Sequence, residues 1–238
     1  MAYKVAIDNG HGLNTPGNRT PKFPDGSQVR EWQFNYPTAK KLKQALERCG
    51  LETIMVSDTQ EDTPLATRTS RANNANADIF VSIHYNAFKG EWGTHGGVET
   101  HYYPSSTKGK KLAELVQAEL AKATGLRNRG IWASNFYVLR KTKMPAILCE
   151  CGFMDNMEEA KLMLDENYQW KVAEAIGRGV CNYLGVKYVP KPAPKKEETA
   201  PEGKLFKVQV GAFKHRENAE ILLEKLKKAG FNGFIKLE

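Results

Sequence analysis

Apolar positions along the chain switch between two periods, and the switches mark its elements. Ile79-Phe-Val-Ser-Ile83 is a nearly unbroken β-prone run, the pattern of a strand buried on both faces. Residues 3–8 predict an earlier strand, and 51–56 another. Between them, 36–50 predict a helix with Pro37 in its first turn, Gly50 at its end and Thr38, Leu42, Ala45, Leu46 and Cys49 as its buried stripe. Residues 65–76 predict a second helix with Arg68 and Arg71 on one side. Further on, 97–103 alternate like a strand, 108–124 form an amphipathic helix, and 136–140 and 146–153 predict strands. Two helices follow, from about 157 and from about 169 to 184. Strands alternating with helices of this length predict an α/β fold, a mostly parallel twisted sheet with helices on both faces.

From residue 188 the pattern breaks. Pro190 to Gly203 is rich in Pro, Lys and Glu and poor in anything to bury, as in an extended linker. Then 206–210 alternate as a strand, Ala219, Leu222, Leu223, Leu226 and Ala229 stripe a helix, and 231–237 predict a second strand. That small C-terminal β-α-β unit buries too little to be stable alone. The expected organisation is a catalytic domain over 1–185, a linker over 186–203 and a terminal unit over 204–238.

Composition narrows the setting. No stretch is long and apolar enough to span a bilayer, and the chain opens directly on a strand, so neither membrane insertion nor a signal peptide is expected. The net charge of +8 suits polyanionic partners, whether nucleic acid, anionic lipid or an anionic wall polymer. No clustered basic stripe or recognition motif supports nucleic acid. The four cysteines, Cys49, Cys149, Cys151 and Cys181, form no dense framework and are expected as reduced thiols.

The chemistry gathers at strand ends. His84 and Asn86 close the central strand, and ligands in open α/β sheets sit outside the carboxyl ends of strands. Asn9-Gly-His-Gly12 follows the first strand at once, with glycines that let the backbone turn sharply around His11. Glu31 precedes the first long helix, and Glu150 lies near the end of the 146–153 strand. Two histidines and a carboxylate form the three-ligand set of a catalytic zinc site, and a further carboxylate can serve as base. On placement alone, ordinary loop histidines and surface glutamates remain the alternative.

Asp8-Asn-Gly-His-Gly12, Glu31, Ala77-Asp-Ile-Phe-Val-Ser-Ile-His-Tyr-Asn-Ala87, Gly97-Val-Glu-Thr100 and Glu150-Cys-Gly-Phe-Met-Asp-Asn156 occur in an order that resembles the zinc-dependent N-acetylmuramoyl-L-alanine amidases of the amidase-3 type. The resemblance covers residues 1 to 185. It implies that His11, Glu31 and His84 bind zinc (Zn2+) and that Glu150 is catalytic. The implied reaction is hydrolysis of the amide between N-acetylmuramic acid and L-alanine in peptidoglycan. Two departures are Cys149 and Cys151, where aliphatic residues are usual, and Pro37 so near Glu31. On a strand the cysteines point away from Glu150's face, as small buried hydrophobes.

Phe206-Lys-Val-Gln-Val-Gly-Ala-Phe213 and the striped helix resemble the first half of a SPOR (sporulation-related repeat) domain, which implies binding to peptidoglycan glycan strands. A homodimer through residues 204–238, or docking of that half on the larger domain, would complete it. The alternatives in function are another zinc-dependent amidohydrolase or peptidase, and a wall-binding protein without catalysis. The presence of all four site residues argues against the last. Without a signal peptide, the expected routes to the wall are a phage holin or lysis of a mother cell. His95, His101 and His215 are read as ordinary histidines. The loops 13–27 and 88–96 should flank the site, with Trp92 either lining a groove or packing on the domain, and Asn86 either orienting a ligand or ending its strand.

Overall fold

The computed structural model describes residues 2–16, 18–192 and 208–237. The chain divides into two compact units, Met1–Pro192 and Ala193–Glu238. The first is a six-stranded sheet between two helical layers. Its strands are β1 (Lys4–Asp8), β2 (Glu52–Met55), β3 (Ile79–Asn86), β4 (Val98–Tyr102), β5 (Asn128–Ala133) and β6 (Ala146–Phe153), in the order β2-β1-β3-β6-β4-β5. All neighbours run parallel except β4 and β6, which are antiparallel.

Alternate residues of the central strands feed two cores, as the strand period requires. Val5, Ile7, Val81, Ile83, Ile147, Cys149 and Cys151 pack with α1 (Trp32–Arg48), α3 (Thr107–Thr124) and α6 (Glu166–Leu184). Ala6, Phe80, Ala146 and Leu148 pack on the other face with α2 (Leu65–Asn74) and α4 (Tyr137–Lys141). A short helix, α5 (Met157–Leu162), follows β6. Cys149 and Cys151 are fully buried in the core on the face away from Glu150.

Several expectations are corrected. Residues 136–140 belong largely to the helix α4 and not to a strand: Val138 and Leu139 are buried against the Phe80 core, and no neighbouring strand is there to pair with them. β5 was not anticipated, because its sequence, Asn-Arg-Gly-Ile-Trp-Ala, is polar and glycine-broken, as an edge strand tolerates. The first long helix starts at Trp32 and not at residue 36, so Pro37 lies inside it. Pro37 removes one N–H from the second turn. Burial of Phe34, Asn35 and Thr38 and stacking of Trp32 on Tyr36 (4.7 Å between centroids) hold the turn.

Residues 186–189, expected in the linker, pack on this unit: Val186 and Tyr188 lie against the larger core, and Tyr188 hydrogen-bonds Glu174. In the second unit the described residues form the helix α7 (Arg216–Lys228), and Phe206 lies outside them. The strands expected at 206–210 and 231–237 are not formed among the described residues. A single β-α-β unit offers its strands too little to pack against, and Val208, Val210, Phe231, Phe234 and Leu237 stay exposed.

Candidate metal centre

The strand ends set the site. β1 ends at Asp8, and the chain then turns through His11, whose φ of 61° is left-handed and unusual for a residue with a side chain. Arg68 holds this turn from beneath. Its guanidinium is buried, pairs with Asp8 Oδ1 at 2.6 Å and donates to the His11 carbonyl at 3.2 Å. Ser82 on β3 donates to the other Asp8 oxygen at 2.6 Å.

Glu31 stands at the N-terminal boundary of α1 without capping it, and its buried carboxylate turns toward β3 instead. Oε1 accepts three hydrogen bonds or contacts, from Tyr85 N (3.0 Å), Asn35 Nδ2 (3.0 Å) and His84 Nδ1 (2.9 Å). Oε2 is thereby left to face His11 Nε2, 3.2 Å away. Asn35 also donates to Gly10 O at 3.1 Å, and Asn18 Nδ2 meets His11 Nδ1 at 3.3 Å. The two imidazoles meet edge to face, 4.9 Å apart. Gly10 is required here: a Cβ would lie 2.1 Å from His84 Cε1.

Burial pushes the His84 pKa down, but the hydrogen bond and charge of Glu31 outweigh it and raise it to about 9. His11 is lowered, by burial first. One ligand atom from each of His11, Glu31 and His84 lies within 4.8 Å of the others. Two imidazole nitrogens and a carboxylate oxygen so placed fit a divalent metal such as zinc.

Glu150 on β6 pairs with His84 on β3 and, across the other ladder, with Glu99 on β4. Its Oε2 is buried with no hydrogen-bond partner. Burial, reinforced by the Glu31 and Glu99 charges against the opposing pull of His84, raises its pKa to about 8. Glu99 is itself fully engaged, by Arg129 Nε at 2.6 Å, Asn86 Nδ2 at 2.9 Å and His101 Nε2 at 3.2 Å.

All four expected site residues open on one cleft of about 500 Å³, walled by residues 18–21 and Gln28 on one side and by 85–87 and Gly90 on the other. Trp92 ties the two flanking loops together, donating to Lys22 O at 2.9 Å with its ring on Phe23. Asp155 fixes the second loop by accepting from the N–H groups of Phe88, Lys89 and Gly90. His95 packs on Phe88 with the rings tilted, and His215 immediately precedes α7; neither joins the cluster. Asn86 reaches Glu99 and also lines the cleft. The supporting roles of Arg68, Asn35, Asn18, Glu99 and Asp155 escaped the sequence reading. Only Glu99 and Asp155, inside the quoted motifs, carried a signal.

Comparison with known proteins agrees with this architecture. Residues 5–182 match the Amidase_3 family, described as N-acetylmuramoyl-L-alanine amidase, and 186–237 match the SPOR domain. The sporulation-specific N-acetylmuramoyl-L-alanine amidase of Bacillus subtilis (strain 168) is 30% identical over 238 residues, covering 99% of this chain and 85% of that protein. The endolysin of Bacillus phage SPP1 is 31% identical over 236 residues, covering 98% and 83%. Among solved structures, an N-acetylmuramoyl-L-alanine amidase from Clostridium difficile 630 superposes with a TM-score of 0.71 at 39% identity, covering 77% of this chain and 97% of that one.

Proposed function

The chain belongs to the N-acetylmuramoyl-L-alanine amidase family and hydrolyses the amide between N-acetylmuramic acid and L-alanine in peptidoglycan, and on that premise we propose that His11, Glu31 and His84 hold a zinc ion and that Glu150 is the catalytic base. When bound, zinc supplies Lewis acidity toward water and toward the scissile carbonyl. The residues around it divide the remaining work. Glu31 Oε1 is occupied by Tyr85 and Asn35, so Oε2 is the oxygen that would be free to hold the ion. Asn18 and Asn35 fix the orientations of His11 and Glu31, as outer partners of metal ligands do. Glu150 Oε2 takes a proton from the attacking water and returns it to the departing alanine amine. A carboxyl raised toward neutrality by burial suits both transfers.

The observation that supports this reading above the others is the buried, unpartnered Glu150 Oε2 beside a cluster of three ligand atoms. A structural carboxylate so deep would be hydrogen-bonded.

The cleft is the site for the stem peptide and its glycan. The terminal unit, which follows the Pro- and Lys-rich linker after Pro192, binds glycan strands and holds the catalytic unit on the wall. Pairing of two chains through 204–238 is not part of this reading. No helix among the described residues is long and apolar enough to cross a membrane. The protein acts on the cell wall, reached through mother-cell lysis or a holin; relatives named as a sporulation-specific amidase and an endolysin support action at the wall.

The test is digestion of purified Gram-positive peptidoglycan by the protein as purified, after chelation, and after Zn2+ is restored, with products identified by mass. Stem peptides with a free L-alanine amino terminus should appear, vanish and return in that order. Activity that survives full removal of metal would overturn the zinc assignment.

A further inference from the structure

Two cysteines remote from the catalytic cleft lie where α1 packs on α6, Cys49 just after α1 and Cys181 within α6. The helices run side by side in the same direction. Lys41 Nζ reaches Gln169 Oε1 at 3.0 Å, and further along a Cβ at Gly177 would stand 3.5 Å from that of Ala45. Cys49 and Cys181 each follow that pair by four residues, about one helical turn. Cys181 is buried in the larger core, and Cys49 packs against that core. The segment after α6 folds over the pair: Val189 N–H donates to Cys49 Sγ at 3.2 Å, and Arg48 Nε donates to Val189 O at 2.8 Å. Arg48 is anchored in turn by Glu174 at 2.7 Å. Cys181 is buried and Cys49 is half-buried, so reagents reach the pair through Cys49.

We propose that Cys49 and Cys181 form an oxidation site, a dithiol that a small-molecule disulfide converts into a protein disulfide joining α1 to α6. The Cys49 thiolate attacks one sulfur of the reagent and releases the first small thiol. Cys181 gives up its proton and attacks the Cys49 sulfur of the mixed disulfide, which releases the second. The protein loses two hydrogens, and the reagent gains two. Cys181 is buried and reached only through Cys49, so it acts second, on the mixed disulfide. Cys149 and Cys151 are closed off within the core and take no part. The bond would close a long loop and fix the helix whose first residue follows Glu31, in an enzyme whose substrate lies outside the reducing cytoplasm.

The intact chain is treated with oxidised glutathione, its remaining thiols are alkylated, and its peptides are mapped by mass. The expected result is a Cys49–Cys181 cross-linked peptide with alkyl groups on Cys149 and Cys151. The thermal midpoint should rise by about 5–10 °C and fall back with dithiothreitol. Cys181→Ala should instead trap glutathione on Cys49, a result that does not depend on closing the bond. Stable glutathionylation of Cys49 in the wild type, a cross-link involving Cys149 or Cys151, or four unmodified thiols would each overturn the proposal.

Discussion

His84 and Glu150 are direct partners in the β3–β6 ladder, so a metal-ligand candidate and a buried carboxylate project side by side into one cleft. Their spacing is therefore set by sheet geometry, about 4.8 Å between strands, and not by a mobile loop. Only Glu31 and His11 reach the site from connecting segments, and each is held by buried partners.

Glu150→Gln keeps the shape of the side chain and removes its basicity. Hydrolysis should fall about 10²–10⁴-fold, the usual worth of a positioned acid/base group. Metal content should match the wild type, because Glu150 is not among the three clustered ligand residues. Product release by mass and metal analysis on the same sample check both. Loss of metal together with activity would instead make Glu150 a ligand.

Gly10→Ala tests the ligand cradle without touching a ligand. Its Cβ would fall 2.1 Å from His84 Cε1 and 2.3 Å from Nε2, so the ring must leave its place. Zinc affinity should drop by about 10–100-fold, the range seen when a ligand's support is lost. Far-UV circular dichroism should be unchanged. Competition with a chromogenic chelator measures the affinity; an unaltered value would show that His84 is not a ligand.

What the sequence made legible follows from burial. β1, β3 and β6 are covered on both faces, so their apolar runs could be read directly, and the polar residues that interrupt them at their ends stood out. β5 was illegible because an edge strand needs no such run, and Tyr137–Lys141 reads as β-prone until one sees that no strand lies beside it. Pro37 masked the start of α1, since the packing of Phe34 and Asn35 that overrides it is tertiary. Arg68 was hidden for the opposite reason: an arginine on a helix is ordinarily solvated, and nothing local announces that Asp8 waits beneath it.

Arg68→Met should destabilise the first unit by about 3–5 kcal/mol, because it strands the Asp8 carboxylate in the interior. It also removes the donor to the His11 carbonyl, which supports a left-handed turn. Urea unfolding of the variant and the wild type measures the first effect. Asp8→Asn combined with Arg68→Met should recover part of the loss, since the stranded charge is then gone; no recovery would locate the cost in the His11 turn.

Glu99 supplies an acid-dependent term in stability. Burial pushes its pKa up, but the hydrogen bonds from His101 and Arg129 and their charges outweigh this and hold it below the usual 4.5. A carboxylate whose folded pKa lies below its unfolded one stabilises the fold fully above the unfolded value. That contribution fades as pH falls through the folded value. Wild-type urea midpoints should therefore decline on acidification below about pH 4.5, and Glu99→Gln should decline less steeply, with the two curves converging at low pH. Parallel curves would mean that the Arg129 and His101 contacts do not favour the ionised form. Because Asn86 and Glu150 flank the same carboxylate, Glu99→Gln should also alter kcat while zinc content stays fixed, which links the acid limb of stability to the geometry of the cleft.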